Sequence, residues 1–242
     1  MAQHILLDNV THHNLKISPH FKAEFGDNVN TTLTFSSELD VIQRTYPVFF
    51  RKGASNDKFQ LIVMLGFENN ENLFLDQSNH TWQADVIPAA MAKGPFLIGF
   101  QDQSKSGGSD KAPVIHVDMS SPRIDTTSGI PVFLEHGGNS PYLEHINSLL
   151  QTIYHGMSDT ENMLKSFADL DLIEPVELDI TLNNGDQHKL HGNFTISTER
   201  LANLSADQLF SLNQKGYLKA AFFIASSLNN VKKLIAIKNS KL

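Results

Sequence analysis

The stretch that decides the fold runs Val176-Glu177-Leu178-Asp179-Ile180-Thr181-Leu182-Asn183-Asn184-Gly185-Asp186-Gln187-His188-Lys189-Leu190-His191-Gly192-Asn193-Phe194-Thr195-Ile196. Val176, Leu178, Ile180 and Leu182 alternate with polar residues, which is the two-residue period of a half-buried strand. Leu190, Phe194 and Ile196 supply the returning strand. Asn184-Gly185 between them predicts a β-hairpin with a type I′ turn, because both residues tolerate positive φ. The chain therefore contains antiparallel sheet.

N-terminal to the hairpin the period changes. Leu143, Ile146, Leu149, Leu150, Ile153, Met157, Leu164 and Phe167 fall on one face of a long helix. Ser140 caps it and Pro141 occupies its first turn, where a missing N–H costs nothing. Gly156 is a point where this helix is expected to bend or break. C-terminal to the hairpin, Ser205 and Gln208 form a capping-box pattern, and Gly216 stops the short helix that follows. A last helix is predicted from Tyr217 to about Ile237, with Leu218, Phe222, Ala225, Leu228 and Leu234 facing inward.

The first 134 residues read mainly as strands, at His4 to Leu7, Thr31 to Phe35, Tyr46 to Arg51, Phe59 to Phe67, Asn72 to Asp76, Phe96 to Phe100, Val114 to Val117 and Ile130 to Leu134. Ser37 with Asp40 predicts a short capped helix through Arg44, and Trp82 to Met91 another that ends at Gly94-Pro95. Lys52 to Lys58 reads as a hairpin loop, and Gln101 to Ala112, with almost nothing apolar, as a mobile loop. The expected architecture is a single α+β domain over residues 1–242: an antiparallel sheet region from about 45 to 134, with the long helix, the late hairpin and the C-terminal helical segment packed upon it. Residues 1–36 form a less regular N-terminal extension.

Composition narrows the function. The chain has 242 residues, 40% of them apolar, enough for a hydrophobic core. Sixteen Phe against one Trp and four Tyr suit a dry core better than a surface that stacks bases or sugars. A net charge of −7 argues against nucleic acid and, on average, against anionic lipid. The absence of cysteine removes disulfides, thiolate nucleophiles and thiolate metal sites. No stretch reads as a membrane span or a secretory signal, so a cytoplasmic protein is expected. Lys232, Lys233, Lys238 and Lys241 read as a solvated helix end that complements the macrodipole.

Several ordered motifs together resemble the bacterial SapC family: Tyr46-Pro47-Val48, Leu65-Gly66-Phe67-Glu68, Glu71-Asn72-Leu73-Phe74-Leu75, Ile87-Pro88-Ala89, Val117-Asp118, Ser121-Pro122-Arg123, Leu172-Ile173-Glu174-Pro175, and Leu212 to Gly216 before Ser227-Leu228-Asn229. The resemblance spans residues 37 to 236. It implies an accessory protein of unassigned biochemistry, named for a surface-layer gene cluster and often encoded beside TonB-dependent outer-membrane receptors. It implies no catalytic residues. Ile224 stands near where the resemblance leads one to expect a histidine.

Two readings of the candidate residues remain open. Asp118, Arg123 and Asp125 crowd charge near a strand end, where a guanidinium held by carboxylates grips an anionic ligand. That reading makes the chain a binding or interaction protein for a small molecule or another protein, with no cofactor. Alternatively, His116 and Asp118 share one face of a strand, and with His191 they supply a His-x-Asp iron site. Arg200, nine residues beyond His191, would then hold a 2-oxoglutarate co-substrate beside Fe(II). Gly137-Gly138-Asn139-Ser140 offers backbone amides to an anion but lacks a specific phosphate-binding pattern.

Overall fold

The computed structural model describes residues 3–53, 58–102, 111–125 and 127–242. The N-terminal part contains β1 (His4–Leu6), β2 (Lys16–Ile17), β3 (Thr31–Leu33), α1 (Leu39–Ile42), β4 (Val48–Lys52) and β5 (Phe59–Met64). Next come β6 (Leu75–Asp76), β7 (Thr81–Trp82), α2 (Ala89–Ala92), β8 (Phe96–Asp102), β9 (Lys111–Asp118), β10 (Ile124–Asp125) and β11 (Ile130–Pro131). The remainder is α3 (Pro141–Asp169), β12 (Ile173–Thr181), β13 (Gln187–Ile196), α4 (Thr198–Ala202), α5 (Ala206–Gln214), α6 (Tyr217–Ser227) and α7 (Val231–Ser240). The α+β class read from the sequence is what the chain adopts.

The late hairpin does not pack on a sheet formed by earlier strands; it is part of one. A five-stranded antiparallel sheet has the order β12-β13-β4-β5-β3, joined where Asn193 and Phe194 of β13 pair with Arg51 and Phe50 of β4. Strands β1, β9 and β8 form a separate three-stranded sheet. The expected single sheet region at 45 to 134 is thus divided. Periodicity reveals that a segment is a strand, whereas the choice of neighbour depends on contacts distant in sequence.

Two smaller sheets, β10-β2-β11 and β6-β7, complete the strands, and apolar side chains gather in two main clusters. The larger cluster holds Tyr46, Phe49, Phe50, Met64, Phe167 and Ile224, and the smaller one Leu15, Ile17, Phe96, Val117, Val132 and Ile146. Burying each of these side chains is worth about 1.5–3 kcal/mol relative to exposure. Helix α3 runs along all of it: Leu143, Ile146 and Leu150 enter the smaller cluster, Ile153 packs with Phe35 and Ala89, and Met163, Leu164 and Phe167 enter the larger one. Its 29 residues span about 43 Å at 1.5 Å per residue. Ser140 Oγ caps it by accepting from the Leu143 amide at 3.2 Å, as the sequence predicts.

Gly156 does not interrupt α3. There the helix packs tightly against the chain before α1, since a Cβ at this position would lie 2.7 Å from Phe35 Cβ and 2.5 Å from Ser37 Oγ. Ser37 does not cap a helix; the turn begins as a 3-10 segment, Ser36–Glu38, and Ser37 Oγ donates to the Thr152 carbonyl at 3.0 Å. The predicted helix from Trp82 shrinks to α2. Pro88 disfavours helical geometry in the residue before it, and Trp82 sits in β7 with its indole N–H donated to Tyr46 Oη at 2.7 Å.

The hairpin turn also differs from expectation. Only Gly185 has positive φ, 91°, while Asn184 does not. Leu182 and Asp186 close a three-residue loop, in which a turn is followed by a left-handed glycine. Gly192, with φ 76°, accompanies the register shift opposite Val176 to Leu178. The capping box at Ser205 and Gln208 forms as read. Of the predicted mobile loop, Gln101, Asp102, Lys111 and Ala112 belong to β8 and β9, and residues 103–110 lie outside the described residues.

Helix α6, a 3-10 turn (Leu228–Asn230) and α7 make one run, Tyr217–Ser240, that by length and composition is apolar enough to cross a membrane. Its inner side carries Tyr217, Ala220, Ala221, Ile224, Ser227, Asn230, Val231 and Leu234. The predicted stripe shares only Leu234 with that buried set, and Phe222 is 57% exposed. Both faces of α6 are apolar, so periodicity alone left its phase ambiguous.

Candidate functional site

The three residues singled out as an anion-gripping cluster have separate structural duties. Arg123 is 6% exposed, and one terminal nitrogen donates to both carboxylate oxygens of Asp27 at 2.6 Å. The other terminal nitrogen donates to the His20 carbonyl at 2.7 Å, and the guanidinium lies over the rings of Phe21 and Phe25. Asp118 Oδ1 accepts from the amides of Gln3 and Ser120 and from Ser120 Oγ. Hydrogen bonding by Ser120 holds its carboxyl below the usual aspartate range. Asp125 accepts from the amides and hydroxyls of Thr127 and Ser128, which lower its carboxyl strongly.

The proposed iron ligands are not brought together. His116 and Asp118 lie on β9, whereas His191 is on β13 in the other sheet and pairs with Glu177 at 3.4 Å. The His116 ring lies over Gly99, where an added Cβ would meet it at 2.4 Å. His4, register partner of Asp118, comes within 3.9 Å of that carboxylate. Among the described residues, no group of three His, Asp or Glu is arranged to hold a metal ion. Arg200 pairs with Asp171 and Glu174.

The cluster that does assemble was not singled out from sequence. Glu68 and Glu71 follow β5, and the ammonium of Lys238 on α7 reaches both, at 2.9 Å for Glu68. His188 on β13 places Nε2 3.7 Å from the same Glu68 carboxylate, and this nitrogen is buried without a hydrogen-bond partner. Asn183 and Asn239 tie the hairpin turn to the end of α7 through an amide hydrogen bond at 2.9 Å. Three elements distant in sequence therefore meet around one carboxylate.

Burial alone would raise the Glu71 carboxyl, yet the Lys238 ammonium and the Phe67 and Glu68 amides hold it below the ordinary glutamate value. Burial likewise disfavours the charged Lys238, but the two glutamates raise its affinity for the proton above that of a free lysine. Both groups are thus held ionised.

The two glutamates of this cluster line an open groove of about 680 Å³. Its walls include Asn28, Glu68, Glu71, Asp76 and Lys241, with Leu73 and Leu75 as apolar lining. Most of the wall is internally satisfied. Asn28 accepts from the Asn72 amide, Lys241 Nζ donates to the Leu73 carbonyl at 2.7 Å, and Ser78 and Asn79 hold the Asp76 carboxyl down to about 2. Asn69, Asn70 and Gln77 differ, since among the described residues their side-chain amides make no hydrogen bond. Asn70 holds φ at 58°, a left-handed conformation that asparagine tolerates better than most residues. Of the terminal lysines, read as solvated, Lys241 lines this groove and Lys238 pairs with Glu68 and Glu71 of its wall. The segment from Leu65 to Leu75 was the available signal.

The motifs that carried the family resemblance meet each other in space. Tyr46-Pro47-Val48 contacts the Ser227-Leu228-Asn229 region, as the Val48 amide donates to Ser227 Oγ at 2.9 Å and Asn230 Nδ2 to the Tyr46 carbonyl at 3.1 Å. Ala89 donates its amide to Glu38 Oε2 at 2.9 Å, and Asn72 Nδ2 donates to the carbonyl of Asp27, the partner of Arg123. Burial raises the Glu38 carboxyl against the hydrogen bonds from Ala89 and Thr34.

Fold and site together define an α+β protein with an amide-rimmed polar groove, in which the buried Arg123, Asp27 and Glu38 are committed to structure. The SapC family model matches residues 7–234, and the chain belongs to the SapC family. Neither a curated protein nor a solved structure matches it.

Proposed function

We propose that this chain is an accessory binding protein rather than a catalyst, serving a bacterial outer-membrane uptake or surface-layer system, and that its ligand face is the groove between residues 68–78 and the end of α7. The observation that carries this reading is the contrast within one cavity. Glu71, Asp76 and Lys241 are spent on the protein itself, whereas the amides of Asn69, Asn70 and Gln77 at the rim are not. An amide side chain donates and accepts at once, which suits a small polar ligand rich in hydrogen-bonding groups. The family's association with outer-membrane receptors supports the biological setting.

Amide-resolved NMR titration tests the reading, using a panel of short peptides and a panel of oligosaccharides. Shifts concentrated at residues 69–78 with one panel, and lost in an Asn69→Ala/Gln77→Ala variant, are the expected result. Shifts confined to another part of the surface, or none with either panel, would remove the groove from consideration.

A further inference from the structure

The surface opposite the buried side of α6 and α7 combines two features that neither the groove nor the fold requires. The first is apolar exposure. The run Tyr217–Ser240 is long and apolar enough to cross a membrane, yet only 33% of its most apolar window is buried. Phe222 stands 57% exposed on α6 and Phe210 64% exposed on α5, whereas Leu218 and Ala225 are half-buried and pack against the larger core cluster.

The second feature is charge. Between Asn203 and Leu242 the sequence has six lysines against one acidic residue, Asp207, a net +5 in a chain whose total is −7. Some of these lysines are engaged: Lys238 pairs with Glu68 and Glu71, Lys241 donates to the Leu73 carbonyl, Lys233 donates to the Arg44 carbonyl, and Lys219 comes within 4.0 Å of Asp40. Lys215 and Lys232 engage no hydrogen-bond or ion-pair partner among the described residues. They lie just before α6 and just inside α7, so they bracket the exposed apolar face along the chain.

We infer that this face of α6 and α7 docks on an anionic lipid surface, with Phe222 entering the acyl boundary and Lys215 and Lys232 meeting the headgroups. Apolar residues on a helix flanked by lysines are what a helix lying in the membrane interface requires. The helix does not span. Its inner side is held to the sheet, where Ser227 accepts from Val48 and Asn230 donates to the carbonyls of Tyr46 and Gln43, and leaving those contacts would strand buried polar groups. The net negative charge of the rest of the chain turns the basic face toward the bilayer and the acidic remainder away from it.

Flotation of the full chain with vesicles tests the inference. Vesicles of phosphatidylcholine and phosphatidylglycerol should carry the protein, phosphatidylcholine alone should not, and raising the salt should weaken the binding. A lysine near an anionic surface is worth about 1 kcal/mol, about a fivefold change in partition, so a Lys215→Glu/Lys232→Glu variant should lose roughly twenty-five-fold or more. Phe222→Ser should also weaken binding, with the melting temperature unchanged because all three side chains face solvent. The groove variant Asn69→Ala/Gln77→Ala should float like the parent, which separates this inference from the proposed ligand site. Equal binding to neutral and anionic vesicles, or undiminished flotation of the charge-reversed variant, would overturn it. So would capture by polyglutamate without vesicle binding, which would identify an acidic protein as the partner.

Discussion

Ser227 Oγ accepts the Val48 backbone amide at 2.9 Å across 179 residues of sequence, and its own hydroxyl donates to the Ile224 carbonyl at 2.7 Å. Strand β13 pairs with β4 only at Phe50 and Arg51, so the Val48 amide lies beyond the ladder and needs another acceptor. The serine extends the sheet's hydrogen bonding into the first of the two C-terminal helices. Ser227→Ala leaves a fully buried amide without an acceptor and should cost about 1–3 kcal/mol in chemical denaturation. Ser227→Thr, if it retains the acceptor, should cost less; equal losses for the two would show that the hydroxyl is not what matters.

Arg123 and Asp27 form the most completely buried ion pair described, with side chains 7% and 5% exposed. Removing one partner strands the other charge, so Arg123→Met should destabilise by about 3–5 kcal/mol. Arg123→Met combined with Asp27→Leu should recover much of that loss, because two apolar groups need no mutual compensation. A double variant as unstable as the sum of the single ones would mean that the contacts to His20, Phe21 and Phe25 matter more than the charges.

These two relationships also show where sequence reading stops. The period-two run at Val176–Leu182 and the capping box at Ser205 and Gln208 are local patterns that form as their spacing implies, and so does the apolar stripe of α3 except at Met157, which is 58% exposed. Arg123 was conspicuous in sequence, but its partner Asp27 lies 96 residues away, and nothing in either neighbourhood specifies the pairing. The groove assembles Asn28, residues 68–78 and Lys241 from three segments, so the motif around Glu68 could be noticed but not completed. For α6, Leu218, Phe222 and Ala225 offered one apolar stripe, and Tyr217, Ala221 and Ile224 another. Packing against the sheet chose the second.

At Gly156 local helix propensity and tertiary packing act in opposite directions. Glycine lowers helix stability by about 1 kcal/mol relative to alanine, so a purely local account makes Gly156→Ala stabilising. The new Cβ would stand 2.7 Å from Phe35 Cβ, an atom fixed close to its backbone, and overpacking of this kind costs about 1–3 kcal/mol. The expected net result is a loss of up to about 2 kcal/mol in urea denaturation, within the range set by those two terms. A gain of stability would mean that α3 can move away from the chain before α1 at no cost.

The pairing of Glu71 with Lys238 should give the groove a defined pH window. Glu71 has a folded-state pKa below its ordinary value of 4.5, so its contribution is fully present above pH 4.5 and disappears as the pH falls through the lowered folded value. Lys238 has a folded-state pKa above 10.5, so its contribution is present below that pH and is lost as the pH rises through the raised folded value. Both contributions coincide across the neutral range. Lys238→Met should destabilise the chain by about 1–3 kcal/mol at pH 7, since it leaves Glu71 half-buried with only backbone donors. The gap between variant and parent should shrink as the acid limit is approached, because protonating Glu71 removes the charge that Lys238 serves. Melting curves from pH 3 to pH 9 measure that gap directly, and a gap that stays constant down to pH 3 would show that the lysine acts through packing alone.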